Sequence, residues 1–376
     1  MTNPFSTENL LRRQAQLSDA MSAGGFDAMA LNAGPSQVYM SGLHFHLMER
    51  PTVLLLAPGK SPVIVLPDFE KGKLSSLDFE LRAVTYSENP AEWQAAFNQA
   101  AALIGPAKQI GVEGLRMRVM ELRYLQAAFP GAEFPIAEHL IADMRKHKDA
   151  GEIAAMKKAV EIAEGGLEAT LQKIKIGMSE KEIAGILVQE LYALGSDPEL
   201  PFAPIVAAAA NSANPHSTVS DYRIKEGDLL LIDWGASYNG YLSDLTRTFA
   251  VGEISEEFKR IYEVVKLANQ AGREAAAIGA PCAAVDEAAR DAIDDNGYGQ
   301  YFTHRTGHGL GMEGHEEPYM RGDNTLPLAE GMSFTVEPGI YLDGRGGVRI
   351  EDNVVMTADG PLTLSSFPRE LRSVGK

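Results

Sequence analysis

The chain has 376 residues, 45% of them hydrophobic, and a formal net charge of −17. That length predicts about two domains, and the apolar share predicts packed cores rather than wholesale disorder. The acidic balance repels phosphate backbones and anionic headgroups, which argues against nucleic-acid and membrane partners. A single cysteine, Cys282, excludes an intrachain disulfide and fits a cytoplasmic protein. The start, Met1–Glu8, lacks the basic and apolar regions of a signal peptide, and no apolar run approaches the roughly 20 residues of a spanning helix.

Residues 1–140 read as an α/β domain. An amphipathic helix over Glu8–Ser22 precedes strand-like runs at Ala28–Leu31, Val53–Leu56 and Val63–Leu66, divided by Gly, Pro and Ser. A helical stretch follows at Ala91–Leu103, then a strand at Ile110–Val112. In Ser41-Gly42-Leu43-His44-Phe45-His46 the alternation would put both histidines on one strand face. The charged segment Asp143–Lys148 marks the boundary, so the expected domains are 1–143 and 144–376.

Beyond the boundary, Asp149/Glu152 and Ser179/Glu182 have capping-box spacing, each before a run of apolar residues at helical intervals. Ser255 opens a third helix, and a fourth spans about Val285–Ile293. Strands are expected at Leu229–Asp233, Leu242–Phe249, Ser333–Glu337 and Gly347–Met356. Paired helices on an antiparallel-rich sheet make an α+β domain.

The acidic residues fall where a cation needs them. Asn239-Gly240 signals a type I′ hairpin, since both residues tolerate positive φ. Centring the turn there sets Asp233 opposite Thr246 and puts Asp233 and Asp244 on one face, about 7 Å apart between backbones. Two buried carboxylates would repel each other, and a cation between them removes that cost. A second hairpin closed symmetrically about Gly344 sets Glu337 opposite Glu351, with Pro338 interrupting the ladder. Between them lies Gly307-His308-Gly309-Leu310-Gly311, whose glycines let backbone approach an ion closely, with His315 seven residues beyond His308. Asp233, Asp244, His308, Glu337 and Glu351 would place four negative charges against two divalent ions. An oxygen-rich set with one imidazole suits Mn²⁺, Co²⁺ or Zn²⁺, and a close pair of such ions activates water toward an amide carbonyl.

At these motifs the sequence resembles the pita-bread metallopeptidases: Xaa-Pro dipeptidase (prolidase), Xaa-Pro aminopeptidase and methionine aminopeptidase. Asp233-Trp234-Gly235 and Ser243-Asp244-Leu245-Thr246-Arg247-Thr248 look like the first two metal-ligand motifs of that family. Gly307–Gly311, Glu337-Pro338-Gly339 and Arg349-Ile350-Glu351-Asp352 look like the other three. The preceding domain and Asn214-Pro215-His216 favour the proline-specific branch. The resemblance implies a creatinase-like N-terminal domain (1–143), a pita-bread catalytic domain (144–376), two metal ions with Mn²⁺ foremost, and a homodimer cleaving short proline-containing peptides. It further implies that His216 and His315 hydrogen-bond the substrate amide or tetrahedral intermediate, that His304 contacts the bound chain and that Arg349 orients the metal carboxylates. Glu337 would bind metal and relay a proton to the leaving nitrogen. In Ala209-Ala210-Asn211 relatives often have a glycine before the asparagine. His44 and His46 would lie on a loop reaching a partner subunit's site.

Blander readings stand beside these: Arg321 as an exposed loop arginine rather than a carboxylate grip, Cys282 as packing, and His304 as a packing residue. Competing functions are hydrolysis or lyase chemistry on a non-peptide small molecule and a non-catalytic binding module. Dipeptidase and aminopeptidase activities are not separable from these motifs.

Overall fold

A computed structural model describes residues 3–375. The chain divides into two compact units that part between Arg145 and Lys146.

In the first unit Ser6 caps the helix Thr7–Gly24, which ends at Gly25 with φ 75°. A five-stranded sheet runs in the order Arg82–Tyr86, Val63–Pro67, Val53–Leu56, Ala28–Asn32, Ile110–Val112. Pairing is antiparallel in the centre and parallel at both edges. The three central strands are wholly buried, and Trp93 and Phe97 of the helix Pro90–Ile104 join their core. The sequence reading does not anticipate the strand Arg82–Tyr86 or the helices Pro35–Ser41, Val119–Ala128 and Glu138–Lys146. The first of these buries Ser36 to Ser41 entirely, so it has no polar face to set a helical period. The stretch 43–48 is irregular, so His44 and His46 do not alternate on a strand; their rings meet edge-on, with centroids 5.8 Å apart.

In the second unit both expected capping boxes are formed, at Asp149/Glu152 and Ser179/Glu182. They open the helices Ala150–Leu171 and Glu180–Ala193, which pack together. Gly166 allows this closeness, since a Cβ there would sit 2.7 Å from Leu191. Leu187 and Leu191 are fully buried, each a contribution of about 1.5–3 kcal/mol. Ser255 caps the helix Glu256–Ala275, which packs on Cys282–Asp294. Cys282 is buried in that core, and desolvation pushes its thiol up to about 11.

Two antiparallel sheets carry the acidic motifs. One contains Ile205–Ala208, Leu229–Trp234 and Leu245–Val251, with Ser373–Val374 added in parallel. The other contains Glu316–Met320, Gly307–Gly309, Ser333–Val336, Asp352–Thr357 and Gly360–Thr363. The first predicted register holds, with Asp233 facing Thr246. The second keeps its symmetry about Gly344, with Gly339 facing Arg349 and Val336 facing Asp352, but Glu337 and Glu351 themselves leave the ladder rather than pair. Asn239 and Gly240 take φ 50° and 73°, as a type I′ turn requires.

Two of the expected strands are nevertheless broken. Leu242–Phe249 is divided between Tyr241–Leu242 and Leu245–Val251, and Gly347–Met356 between Gly346–Arg349 and Asp352–Thr357. Local alternation does not reveal these breaks, because tertiary partners create them. Asp244 N–H leaves the ladder to bond Asn353 Oδ1 at 3.1 Å. Glu351 N–H donates to Thr246 O at 3.0 Å, and Glu337 N–H to Thr306 O at 2.7 Å. Three of the five acid and imidazole motifs thus sit where a ladder stops.

Candidate metal centre

The breaks turn the side chains inward together. One ligand atom from each of Asp244, His308 and Glu351 lies within 4.8 Å of the others, and all three residues are buried. Glu337 joins through His308, whose Nε2 is 3.2 Å from Glu337 Oε1 and 3.7 Å from Asp244 Oδ2. Gly307 and Gly309 make the approach possible: a Cβ would lie 1.9 Å from Thr335 O in the first case and 2.3 Å from Glu317 in the second. His308 Nδ1–H donates to Gly309 O at 3.1 Å, which aims Nε2 at two carboxylates. That direction calls for a positive charge, either a proton or a metal ion.

Asp233 is tied to this group through Arg349. Arg349, 2% exposed, donates from Nη2 to Asp233 Oδ2 at 2.5 Å and from Nε to Thr246 Oγ1 at 3.0 Å. Thr246 Oγ1–H in turn donates to Glu351 Oε2 at 2.7 Å. The other Asp233 oxygen, Oδ1, is buried without a hydrogen-bond partner. A buried carboxylate oxygen left this way costs free energy unless a cation meets it.

Electrostatics point the same way. Burial raises the carboxyls of Asp244 and Glu351 well above the usual range, and their acidic neighbours add to the effect. Burial also raises Asp233, against the pull of Arg349. On Glu337 burial is outweighed by the bond and charge of His308, which hold it down at about 2. Four acids gathered around one arginine and one imidazole make a site that divalent cations fit.

The remaining predicted residues lie around this group. His315 is exposed, its ring tilted over His308 with centroids 3.9 Å apart. Although the residue as a whole is exposed, the groups packed against its ring desolvate it, and this, with the charges of His308 and Arg305, pulls it down to about 4, so it is neutral at pH 7. Its Nδ1 accepts from Arg305 Nη2 at 3.1 Å, which leaves the ring proton on Nε2 as a donor. His216 is exposed on a loop that Arg349 Nη1 reaches through Pro215 O, at 3.3 Å. His304 has both ring nitrogens engaged within the protein, by Arg305 O at 2.7 Å and Tyr341 Oη at 2.9 Å. Arg321 is exposed and paired with Asp323.

Several residues that build the site are given no role by the sequence reading. Tyr341 bridges His304 and Arg349 through one hydroxyl, and burial pushes it up to about 12. Asn353 holds both backbone polar groups of Asp244. Asn269, buried on the helix Glu256–Ala275, donates to Val336 O at 3.0 Å and Ile350 O at 3.3 Å, the carbonyls just before Glu337 and Glu351. Asp352 accepts from Arg247, Arg369 and Ser365, while Arg247 also holds Glu351 O. The available signals were polar residues inside buried patterns: Asn269 on an apolar helix face, and Asp352 next to a candidate ligand.

A family model described as metallopeptidase family M24 matches residues 154–358, and one for the creatinase/prolidase N-terminal domain matches residues 13–147. The chain belongs to metallopeptidase family M24. The second unit is its pita-bread domain, and the first is the creatinase-type domain that precedes it. The chain is 34% identical over 358 residues to a Xaa-Pro dipeptidase of Pyrococcus horikoshii, covering 95% of this chain and 97% of that protein. Among solved structures, a recombinant prolidase from Thermococcus sibiricus aligns with TM-score 0.91 at 34% identity, covering 97% of this chain and 99% of that one. An X-Pro aminopeptidase from Thermotoga maritima aligns with TM-score 0.84 at 33% identity, covering 96% and 99%. Among the described residues no helix is long and apolar enough to cross a membrane.

Proposed function

We propose that this M24 enzyme hydrolyses the peptide bond before proline in Xaa-Pro dipeptides or short peptides, using two divalent ions with Mn²⁺ as the first choice. The observation that carries the reading is the buried group Asp244, His308 and Glu351, with Glu337 beside His308 and Asp233 Oδ1 buried without a partner. Proline specificity is taken from relatives named as Xaa-Pro dipeptidases and an X-Pro aminopeptidase.

Bound there, two such ions would supply the Lewis acidity that activates water near neutral pH and polarises a carbonyl. Asp233, Asp244, His308, Glu337 and Glu351 would hold them, and Arg349 fixes Asp233 through Oδ2. Glu337, ionised and the least buried of the four carboxylates, takes the proton of the attacking water and returns it to the leaving proline nitrogen. His315, neutral with its N–H on Nε2, donates to the oxygen that gains charge as the carbonyl becomes tetrahedral. His216 approaches the substrate from the loop held at Pro215. His304 acts through Tyr341, since its own nitrogens are engaged.

The test is a substrate panel of Ala-Pro, Ala-Pro-Ala and Ala-Ala with chelator-stripped protein reloaded with Mn²⁺, Co²⁺ or Zn²⁺. Cleavage before proline is expected, with the ratio of the first two substrates separating dipeptidase from aminopeptidase action. No cleavage of either proline substrate with any of the metals would overturn the proposal.

A further inference from the structure

Glu180 is the first residue of the helix Glu180–Ala193, a position where an acidic side chain commonly faces solvent to complement the helix dipole. Here it is fully buried. Its two oxygens accept four hydrogen bonds. Oε1 takes Ala208 N–H at 2.7 Å and Asn211 Nδ2–H at 2.9 Å. Oε2 takes Ser220 N–H at 2.9 Å and Ser220 Oγ–H at 2.6 Å. All four donors come from the start and end of one stretch, residues 208–220, with His216 within it. Backbone bonds from the same helix end reinforce the second foot: Glu180 N–H to Tyr222 O at 3.1 Å and Lys181 N–H to Ser220 O at 3.3 Å.

The loop is also attached to the metal centre's own strand. Gly347 N–H donates to Ser212 Oγ at 2.9 Å, and Arg349 Nη1 reaches Pro215 O. Its feet are therefore set by Glu180 and its middle by the strand Gly346–Arg349. A buried carboxyl group is costly unless its oxygens are hydrogen-bonded, and here the four bonds that satisfy it also clasp the loop.

We propose that Glu180 is a positioning residue for His216, its carboxylate closing the base of the 208–220 loop so that His216 is presented to the substrate. This rests on the reading of His216 as a substrate-contacting group.

The variant is Glu180→Gln in the full chain loaded with Mn²⁺. Its amide keeps one acceptor oxygen for one foot but turns an N–H₂ group toward the donors of the other. Amide hydrogen exchange over 208–220 is expected to quicken by about tenfold or more, with the helix Glu256–Ala275 unchanged. Mn²⁺ stoichiometry and affinity should match wild type, which a general folding defect would not permit. On Ala-Pro, kcat/KM should fall by about 10–100-fold. Glu180→Gln combined with His216→Ala should be no slower than His216→Ala alone, because the two act through one group.

Unchanged exchange over the loop would overturn the clasp. Faster exchange with undiminished kcat/KM would overturn the positioning role, as would additive losses in the double variant. If His216→Ala alone retains wild-type kcat/KM, the reading of His216 fails and the positioning role with it, while exchange still decides whether Glu180 holds the loop. Should Glu180→Gln not fold, Ser220→Ala removes only the second foot's hydroxyl and is read by the same measurements and outcomes.

Discussion

Replacing Arg349 with Met isolates the charge balance of the centre. Arg349 donates to Asp233, Thr246, Tyr341 and Pro215 from a position 2% exposed, and its bond to Asp233 spans 2.5 Å. Methionine keeps most of the volume and removes every donor. In metal-free protein at pH 7 the Asp233 carboxylate then loses its ion-pair partner inside the protein, a loss of about 3–5 kcal/mol. For a domain of this size that lowers Tm by roughly 6–20 °C. Burial raises the Asp233 carboxyl toward the neutral form, so the loss should shrink as pH falls and the group protonates. Bound divalent ions supply the missing charge and should shrink it too. Arg349→Lys, which keeps the charge without the planar fork, should fall between. Calorimetry of stripped and Mn²⁺-loaded protein at pH 4.5 and 7 reads all four conditions. A stripped Arg349→Met protein within about 1 kcal/mol of wild type at pH 7 would refute the reasoning.

Asp244→Asn and Glu351→Gln each remove a buried ligand charge, so kcat/KM should fall by more than the roughly 10–100-fold cost of disturbing an outer partner; near-wild-type turnover at saturating Mn²⁺ would contradict this. Ala209 holds φ 48°, a left-handed conformation costly for any residue with a Cβ. Ala209→Gly should therefore stabilise the protein by up to about 1 kcal/mol, read by denaturant midpoint, with a destabilised variant as the contrary result. In the stripped protein the carboxyls of Asp244 and Glu351 are raised above their unfolded values, first by burial. Their contribution to stability is full below about pH 4 and lost as pH rises through the raised folded values. Metal removes that loss, so the gain in Tm on adding Mn²⁺ should grow from pH 4.5 to 7; a constant or shrinking gain would count against it.

The candidate ligands were legible because each sits in a local pattern with its own geometry. The Asn239-Gly240 turn alone places Asp233 against Thr246, and the symmetry about Gly344 that was to set Glu337 against Glu351 is kept by the pairs on either side of them. The point at which each ladder stops was not legible. Asn353, Thr246 and Thr306 capture the backbone of Asp244, Glu351 and Glu337 from segments distant in the sequence, and no period in the sequence encodes that. Helical spacing likewise identifies the helix Glu256–Ala275 but not that Asn269 serves the carbonyls at a broken ladder. Glu180 was disguised for the same reason: its capping-box neighbours explain the helix start, while its buried bonds depend on a loop 28 to 40 residues away. In the creatinase-type unit the helix Pro35–Ser41 escapes the sequence reading because it is buried on every side, and the strand Arg82–Tyr86 because it opens on exposed Arg82.

Metal titration of chelator-stripped protein, followed by electron paramagnetic resonance of the Mn²⁺-loaded form, tests most directly whether Asp233, Asp244, His308, Glu337 and Glu351 act as one cage. Two ions per chain with the exchange-coupled spectrum of a close pair are expected, and Asp233→Ala should abolish the coupling. Fewer than two ions, or two that are magnetically independent, would contradict a shared dinuclear centre.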